Sequence, residues 1–215
     1  YTLIHDDLPC MDNDDLRRGK PSTHKKFGES TAVLAGNSLL TLAFEILTNK
    51  YLKVSNNKKI LIIKYISNSS GHEGIAGGQY SDLSFENKKI SLNKIKNMQV
   101  KKTGRLFSFC CIAPLIVVNK KNLINKFKKI GEDIGLLFQI ADDLIDYSGN
   151  EKIAGKKTKK DAGKGKATLI SLLGYKNTIK YSKRLKLNIF NELSKYQKRS
   201  NDLKQTIEFI LNRTK

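Results

Sequence analysis

Apolar residues recur at helical spacing along nearly the whole chain. Thr31 to Leu52 (TAVLAGNSLLTLAFEILTNKYL) is too apolar for a surface helix and too long for one strand, so it predicts a buried helix. Lys59 to Asn68 continues the pattern. Ser91 suits the N-cap of a helix running from Leu92 toward Lys102, where a hydroxyl oxygen accepts from a free backbone N–H of the first turn. Leu123 to Tyr147 is a long periodic stretch followed by Gly149. The glycine-rich or lysine-rich segments Gly71 to Gln79 and Gly149 to Gly165 read as loops. Alternating strand patterns and hairpin dipeptides are nearly absent, and no internal repeat stands out. The pattern predicts an all-α fold in a single domain over residues 1–215.

The longest apolar run, Leu106 to Val118, is about 13 residues and is interrupted by Pro114. That is short of the roughly 20 residues that cross a bilayer, so no membrane insertion is expected. The chain starts at Tyr1 in what reads as the last turns of a helix, which marks it as a fragment with any targeting segment upstream.

Composition narrows the function. The chain has 215 residues, 39% of them hydrophobic, enough to bury a sizeable core. Its formal charge of +20, from 40 basic and 20 acidic residues, invites a nucleic-acid reading through phosphate contacts. The lysines are spread along the chain beside many asparagines, with no basic helix carrying aromatics, so nucleic acid is not the expected partner. Three cysteines, Cys10, Cys110 and Cys111, have no metal-ligand spacing and fit a reducing compartment such as the cytoplasm.

Against that basic background stand two acidic clusters, Asp6-Asp7-Leu8-Pro9-Cys10-Met11-Asp12 and Asp142-Asp143-Leu144-Ile145-Asp146. Carboxylates packed so closely raise one another's pKa unless a cation sits between them, which points to hard divalent metal, magnesium above all. Asp142 and Asp146 are four apart and share one helix face, with Asp143 one step round. Pro9 disfavours helix past Leu8, so Asp6 and Asp7 close a helix and a turn returns Asp12 toward them, leaving Asp14 and Asp15 outside. Arg17 and Arg18 follow. Guanidinium forks beside a metal-binding cluster suit a diphosphate, with the metals on one side and the arginines on the other.

These motifs carry a resemblance. Leu3 to Glu29 reads LIHDDLPCMDNDDLRRGKPSTHKKFGE, which resembles the short-chain trans-isoprenyl diphosphate synthases, the farnesyl and geranylgeranyl diphosphate synthase family. The likeness continues through Gly77-Gly78-Gln79 with Asp82, Lys102-Thr103-Gly104, Phe138-Gln139, Gly155-Lys156 with Asp161, and Gly165-Lys166. It implies an isoprenoid synthase helical bundle around a central cavity, usually homodimeric, with the two aspartate motifs facing across the mouth. By the same resemblance Asp6, Asp7, Asp12, Asp142 and Asp146 coordinate magnesium, about three ions per site with manganese an alternative. Arg17, Lys102, Lys156 and Lys166 match contacts to the allylic diphosphate, Arg18 a contact to isopentenyl diphosphate, and Thr103 and Gln139 cavity positions near the reacting carbons. The catalytic set carried over is Asp6, Asp7, Arg17, Lys102 and Asp142.

The implied chemistry ionises an allylic C–O bond, lets the double bond of isopentenyl diphosphate attack the cation, and loses a proton to the departed diphosphate. No nucleophilic side chain is needed, and His5, His24 and His72 are too scattered for a catalytic constellation; His5 reads as packing. Tyr1, with Thr2 beside it, lies five residues before Asp6, roughly 7 to 8 Å down the helix. In the family an aromatic there accompanies a C15 product, which implies farnesyl diphosphate, the alternatives being a geranylgeranyl diphosphate synthase or a non-catalytic partner subunit. Family members extend further upstream, where most contacts to isopentenyl diphosphate lie. A terpene cyclase generally carries a different second metal motif.

Overall fold

The computed structural model describes residues 1–148 and 166–212. Its elements are almost all helical, in agreement with the pattern: α1 (Thr2–Asp6), α2 (Thr23–Phe27), α3 (Glu29–Thr48), α4 (Asn56–Ser70), α5 (Ile75–Ser84), α6 (Leu92–Gln99), α7 (Arg105–Val117), α8 (Ile124–Ser148), α9 (Leu169–Leu173), α10 (Tyr175–Ser194) and α11 (Asn201–Asn212). The 25-residue α8 is the spine. Its Ile130, Ile134, Leu137 and Ile140 recur every three or four residues and form one apolar stripe. That stripe packs with Ile95 and Met98 of α6, Ile189 and Leu193 of α10, and Ile207 and Ile210 of α11. A smaller cluster joins Ile62 of α4 to Ile112 and Ile116 of α7. The loop expected over residues 149–165 lies outside the described residues.

Three local expectations change. Ser91 does sit at the N-cap of α6, without a side-chain capping bond, but the chain does not stop near Lys102. It widens into a π-helical turn, Val100–Gly104, and continues directly as α7. The segment from Gly71 is a loop only as far as Gly74, after which α5 begins and includes Gly77, Gly78 and Gln79. Glycine is needed inside that helix because a Cβ on Gly78 would lie 2.1 Å from the backbone nitrogen of Lys102. From the other side, a Cβ on Gly135 would come within 2.5 Å of the Cα of Gly104. The π turn is thus held between α5 and α8 at backbone contact distance. Finally, β1 (Leu16–Arg17) and β2 (Lys20–Pro21) form a small antiparallel hairpin. Its turn residues Arg18 and Gly19 both have positive φ, 54° and 75°, and Arg-Gly is not among the dipeptides that announce such a turn.

The largest correction concerns α3. Its apolar run predicted a buried helix, yet only Ala32 and Gly36 are buried, while Leu34 and Ile46 are 65% and 55% exposed. Helical periodicity reports that a face is apolar, and not which molecule covers it. Among the described residues α3 is also long and apolar enough to cross a membrane by length and composition, with a mean hydropathy of 1.4. Counting uninterrupted runs missed it because Asn37, Ser38 and Glu45 break the sequence. The core helix of a soluble protein passes the same test.

Candidate active site

The first acidic segment folds as Pro9 dictates. Helix α1 ends at Asp6, the N–H of Leu8 donates to the His5 carbonyl at 3.2 Å, and the N–H of Asp12 donates back to the Asp6 carbonyl at 2.8 Å. Asp6 and Asp12 thereby meet on one wall of a cavity of about 300 Å³. Asp14 does not lie outside the turn: its N–H donates to the Asp7 carbonyl at 3.2 Å, it is buried, and it too lines the cavity. Asp15 remains peripheral, with Lys25 at 3.0 Å.

Asp7 departs from its expected place. It is 2% exposed and does not line the cavity. Both its oxygens accept from Nε of Arg17, at 3.1 and 3.2 Å, and Nη2 of Arg17 also donates to it. Adjacent residues at a helix end point about 100° apart, and here that rotation turns Asp7 away from the space that Asp6 faces. Asp7 instead aims Arg17, whose guanidinium lines the cavity and lies 3.7 Å from Asp14.

The opposite wall comes from α8. Gln139, Asp142, Asp143 and Asp146 line the cavity along one face of the helix end. Asp143 is 3% exposed and takes the amide of Gln139 at 3.0 Å and that of Gln99, more loosely, at 3.5 Å. A carboxylate can only accept, so it draws the NH₂ of Gln139 and leaves its carbonyl to accept from the Thr103 hydroxyl at 3.2 Å. The π turn places Lys102 and Thr103 on the third wall. Lys102 Nζ donates to Asp82 of α5 at 2.6 Å. Lys166 reaches in beside it, 2.8 Å from Asp12 and 3.7 Å from Asp82. Below these charges the lining turns apolar, with Leu106, Phe107 and Phe138; the two phenyl rings are 5.4 Å apart.

Several expected residues stand elsewhere. Arg18 is exposed at the hairpin turn and does not line the cavity. Thr2 lines the wall, whereas Tyr1 packs edge-on against His5 at 6.2 Å and is not part of the lining. His5 itself packs on α3, with Nε2 3.1 Å from the Val33 carbonyl. Lys156, with Gly155, Asp161 and Gly165, lies outside the described residues. Asp14, Asp82 and Gln99 line the site without having been singled out for it; Asp82 alone carried a signal, as the acid following Gly77-Gly78-Gln79.

The electrostatics match a site built for opposite charges. Burial, together with the neighbouring Asp12 and Asp7, pushes the Asp6 carboxyl up, against the opposing pull of Lys102 and Arg17. Burial works against the charge of Lys102, but Asp82 first and then Asp12 and Asp6 outweigh it and the ammonium is held above its usual range. Arg17 is likewise raised, its partner Asp7 outweighing burial. Cys111 is no candidate nucleophile: burial, with Cys110 beside it, pushes its thiol up to about 11.

Comparison with known proteins gives one consistent match. A family model described as polyprenyl synthetase matches residues 1–210. The chain is 42% identical over 194 residues to a farnesyl diphosphate synthase of Bacillus subtilis, covering 86% of this chain and 66% of that protein. It is 39% identical over 219 residues to geranylgeranyl pyrophosphate synthase 4 of Arabidopsis thaliana, covering 99% of this chain and 58% of that protein. Among solved structures, a geranyltransferase of Helicobacter pylori complexed with magnesium and isoprenyl diphosphate superposes with a TM-score of 0.86 at 35% identity, over 99% of this chain and 69% of that one.

Proposed function

The chain belongs to the polyprenyl synthetase family, and from that premise we propose that it is a prenyltransferase that condenses isopentenyl diphosphate with dimethylallyl or geranyl diphosphate to give farnesyl diphosphate. One observation carries the reading: carboxylates from two distant acidic segments, Asp6 and Asp12 against Asp142 and Asp146, line one cavity with Arg17, Lys102 and Lys166 around them and phenyl rings below.

The donor set suits magnesium. Asp6, Asp12, Asp142 and Asp146 offer only hard oxygen. Among the described residues no three such side chains form a metal-holding group of their own. That is the usual protein share for magnesium, which takes one or two carboxylates and completes its shell from substrate phosphate oxygens and water. About three ions, or manganese in their place, would fit between the two walls. When bound, the metal supplies positive charge that stabilises the departing diphosphate.

The chain's own residues do the rest. Arg17, Lys102 and Lys166 bind and orient the allylic diphosphate. Leu106, Phe107 and Phe138 exclude water from the cation left behind, which water would otherwise quench. The carbonyl of Gln139, turned by Asp143, faces the Thr103 hydroxyl at the edge of that apolar region, where a developing positive charge is stabilised. A C15 product is supported by the farnesyl diphosphate synthase of Bacillus subtilis, since Tyr1 packs on His5 and leaves the lining to Thr2; a geranylgeranyl product is the second reading, favoured by the Arabidopsis relative. We place the protein in the cytoplasm as a homodimer, on the support of its free cysteines and of the exposed apolar side of α3, which a second copy would cover.

The test is a magnesium-dependent condensation assay on the complete gene product, with isopentenyl and dimethylallyl diphosphates and product length read by mass spectrometry. A C15 product, with Asp142→Ala lowering kcat at least about a hundredfold, supports the synthase. A folded protein that binds allylic diphosphate and makes no prenyl product would overturn it in favour of a non-catalytic partner subunit.

A further inference from the structure

Asp82 belongs to neither acidic cluster, yet it is 8% exposed, lines the cavity, and has both of its cationic neighbours inside it. It lies four residues after Gly78, on the same face of α5. Gly78 abuts the backbone nitrogen of Lys102, and Asp82 Oδ2 accepts from Nζ of that same lysine at 2.6 Å. One helix face therefore grips Lys102 at both its root and its tip. The same oxygen lies 3.7 Å from Nζ of Lys166, so a single carboxylate stands between two ammonium groups that would otherwise repel.

We propose that Asp82 is a positioning residue of this site, holding the Lys102 side chain extended into the cavity, in register with the π turn, so that its ammonium meets the diphosphate without first being ordered. The inference rests on the prenyltransferase reading. A free lysine side chain loses rotamer entropy on being immobilised, and a partner present before the ligand arrives removes most of that cost.

The sign of the effect separates this role from bulk electrostatics. Deleting a negative charge from an anion-binding cavity should tighten diphosphate binding if charge alone matters, and should weaken it if Lys102 is thereby released. The experiment uses Asp82→Asn, Lys102→Met and the double variant in the complete gene product. It reads kcat and KM for geranyl and isopentenyl diphosphates, and calorimetric binding of inorganic diphosphate with magnesium. Asp82→Asn is expected to raise the KM for geranyl diphosphate about tenfold, with that for isopentenyl diphosphate kept within about twofold, and to add little to Lys102→Met. Tighter or unchanged diphosphate binding, or losses that simply add in the double variant, would overturn the proposal. If the wild type makes no prenyl product, the functional reading fails while the calorimetric arm still decides the role of Asp82. Should Asp82→Asn not fold, Asp82→Glu keeps the charge and lengthens the arm, and an unchanged affinity there would count against positioning.

Discussion

Asp6 and Asp7 are chemically identical neighbours with opposite surroundings. Asp6 faces the cavity with Asp12, while Asp7 is sealed behind it against Arg17. Removing one partner of a buried pair leaves the other without its counter-charge, at a cost of about 3 kcal/mol or somewhat less where one partner is part-exposed, as Arg17 is. Asp7→Asn is therefore expected to lower the thermal midpoint by several degrees, at about 2–4 °C per kcal/mol for a chain of this size, while the magnesium concentration for half-maximal activity stays put. Asp12→Asn should do the reverse, and a calorimetric melt beside a magnesium titration checks both. An unmoved midpoint in Asp7→Asn, or a raised magnesium requirement, would return Asp7 to the metal set. At this scale the sequence was informative about residue type and vicinity: two carboxylates at a helix end, a turn at Pro9, arginines after it. It was silent on which carboxylate faces inward, because that is decided by rotation of α1 against α3 and the hairpin.

At the scale of elements, the decisive join is α6 to α7. Both helices have ordinary helical periodicity, and the π turn between them has none that a 3.6-residue pattern detects. What sustains it is close approach from both sides, Gly78 of α5 and Gly135 of α8. Gly78→Ala should force α5 away from the Lys102 backbone, costing about 1–3 kcal/mol in overpacking, and should weaken allylic diphosphate binding more than the loss of stability alone explains. A denaturant melt and a diphosphate titration on the same sample test this; a variant with wild-type values in both would mean that the contact relaxes freely. Gly78 was visible in the sequence and read as part of a loop, the commoner reason for glycine. A helix that needs glycine for backbone contact looks the same in one dimension. By contrast α8 was legible almost to the residue, because its apolar stripe runs unbroken for 25 residues and its acidic end is local.

For the molecule as a whole, the exposed apolar side of α3 and the +20 charge pull in different directions. Like charge spread over the surface opposes association in general, so a dimer needs a concentrated apolar face, and Leu34, Leu42 and Ile46 supply one. For the proposed homodimer, Leu34→Glu combined with Leu42→Glu is expected to leave only monomer in sedimentation at physiological salt, with the helical circular dichroism retained. A wild-type monomer, or a dimer that survives both charges, would place the contact elsewhere. Sequence by itself determined the helical class, the long central helix, the turn at Pro9 and the two acidic segments that line the cavity. All of these rest on interactions within a few residues along the chain or on residue type alone. Only the tertiary structure decided that Asp7 pairs with Arg17, that Asp82 pairs with Lys102, that Arg18 stands off the cavity and that α3 lies open. Those depend on contacts between different elements, ten positions apart for Asp7 and Arg17 and twenty for Asp82 and Lys102, and no helical periodicity encodes the rotation and distance at which two elements meet.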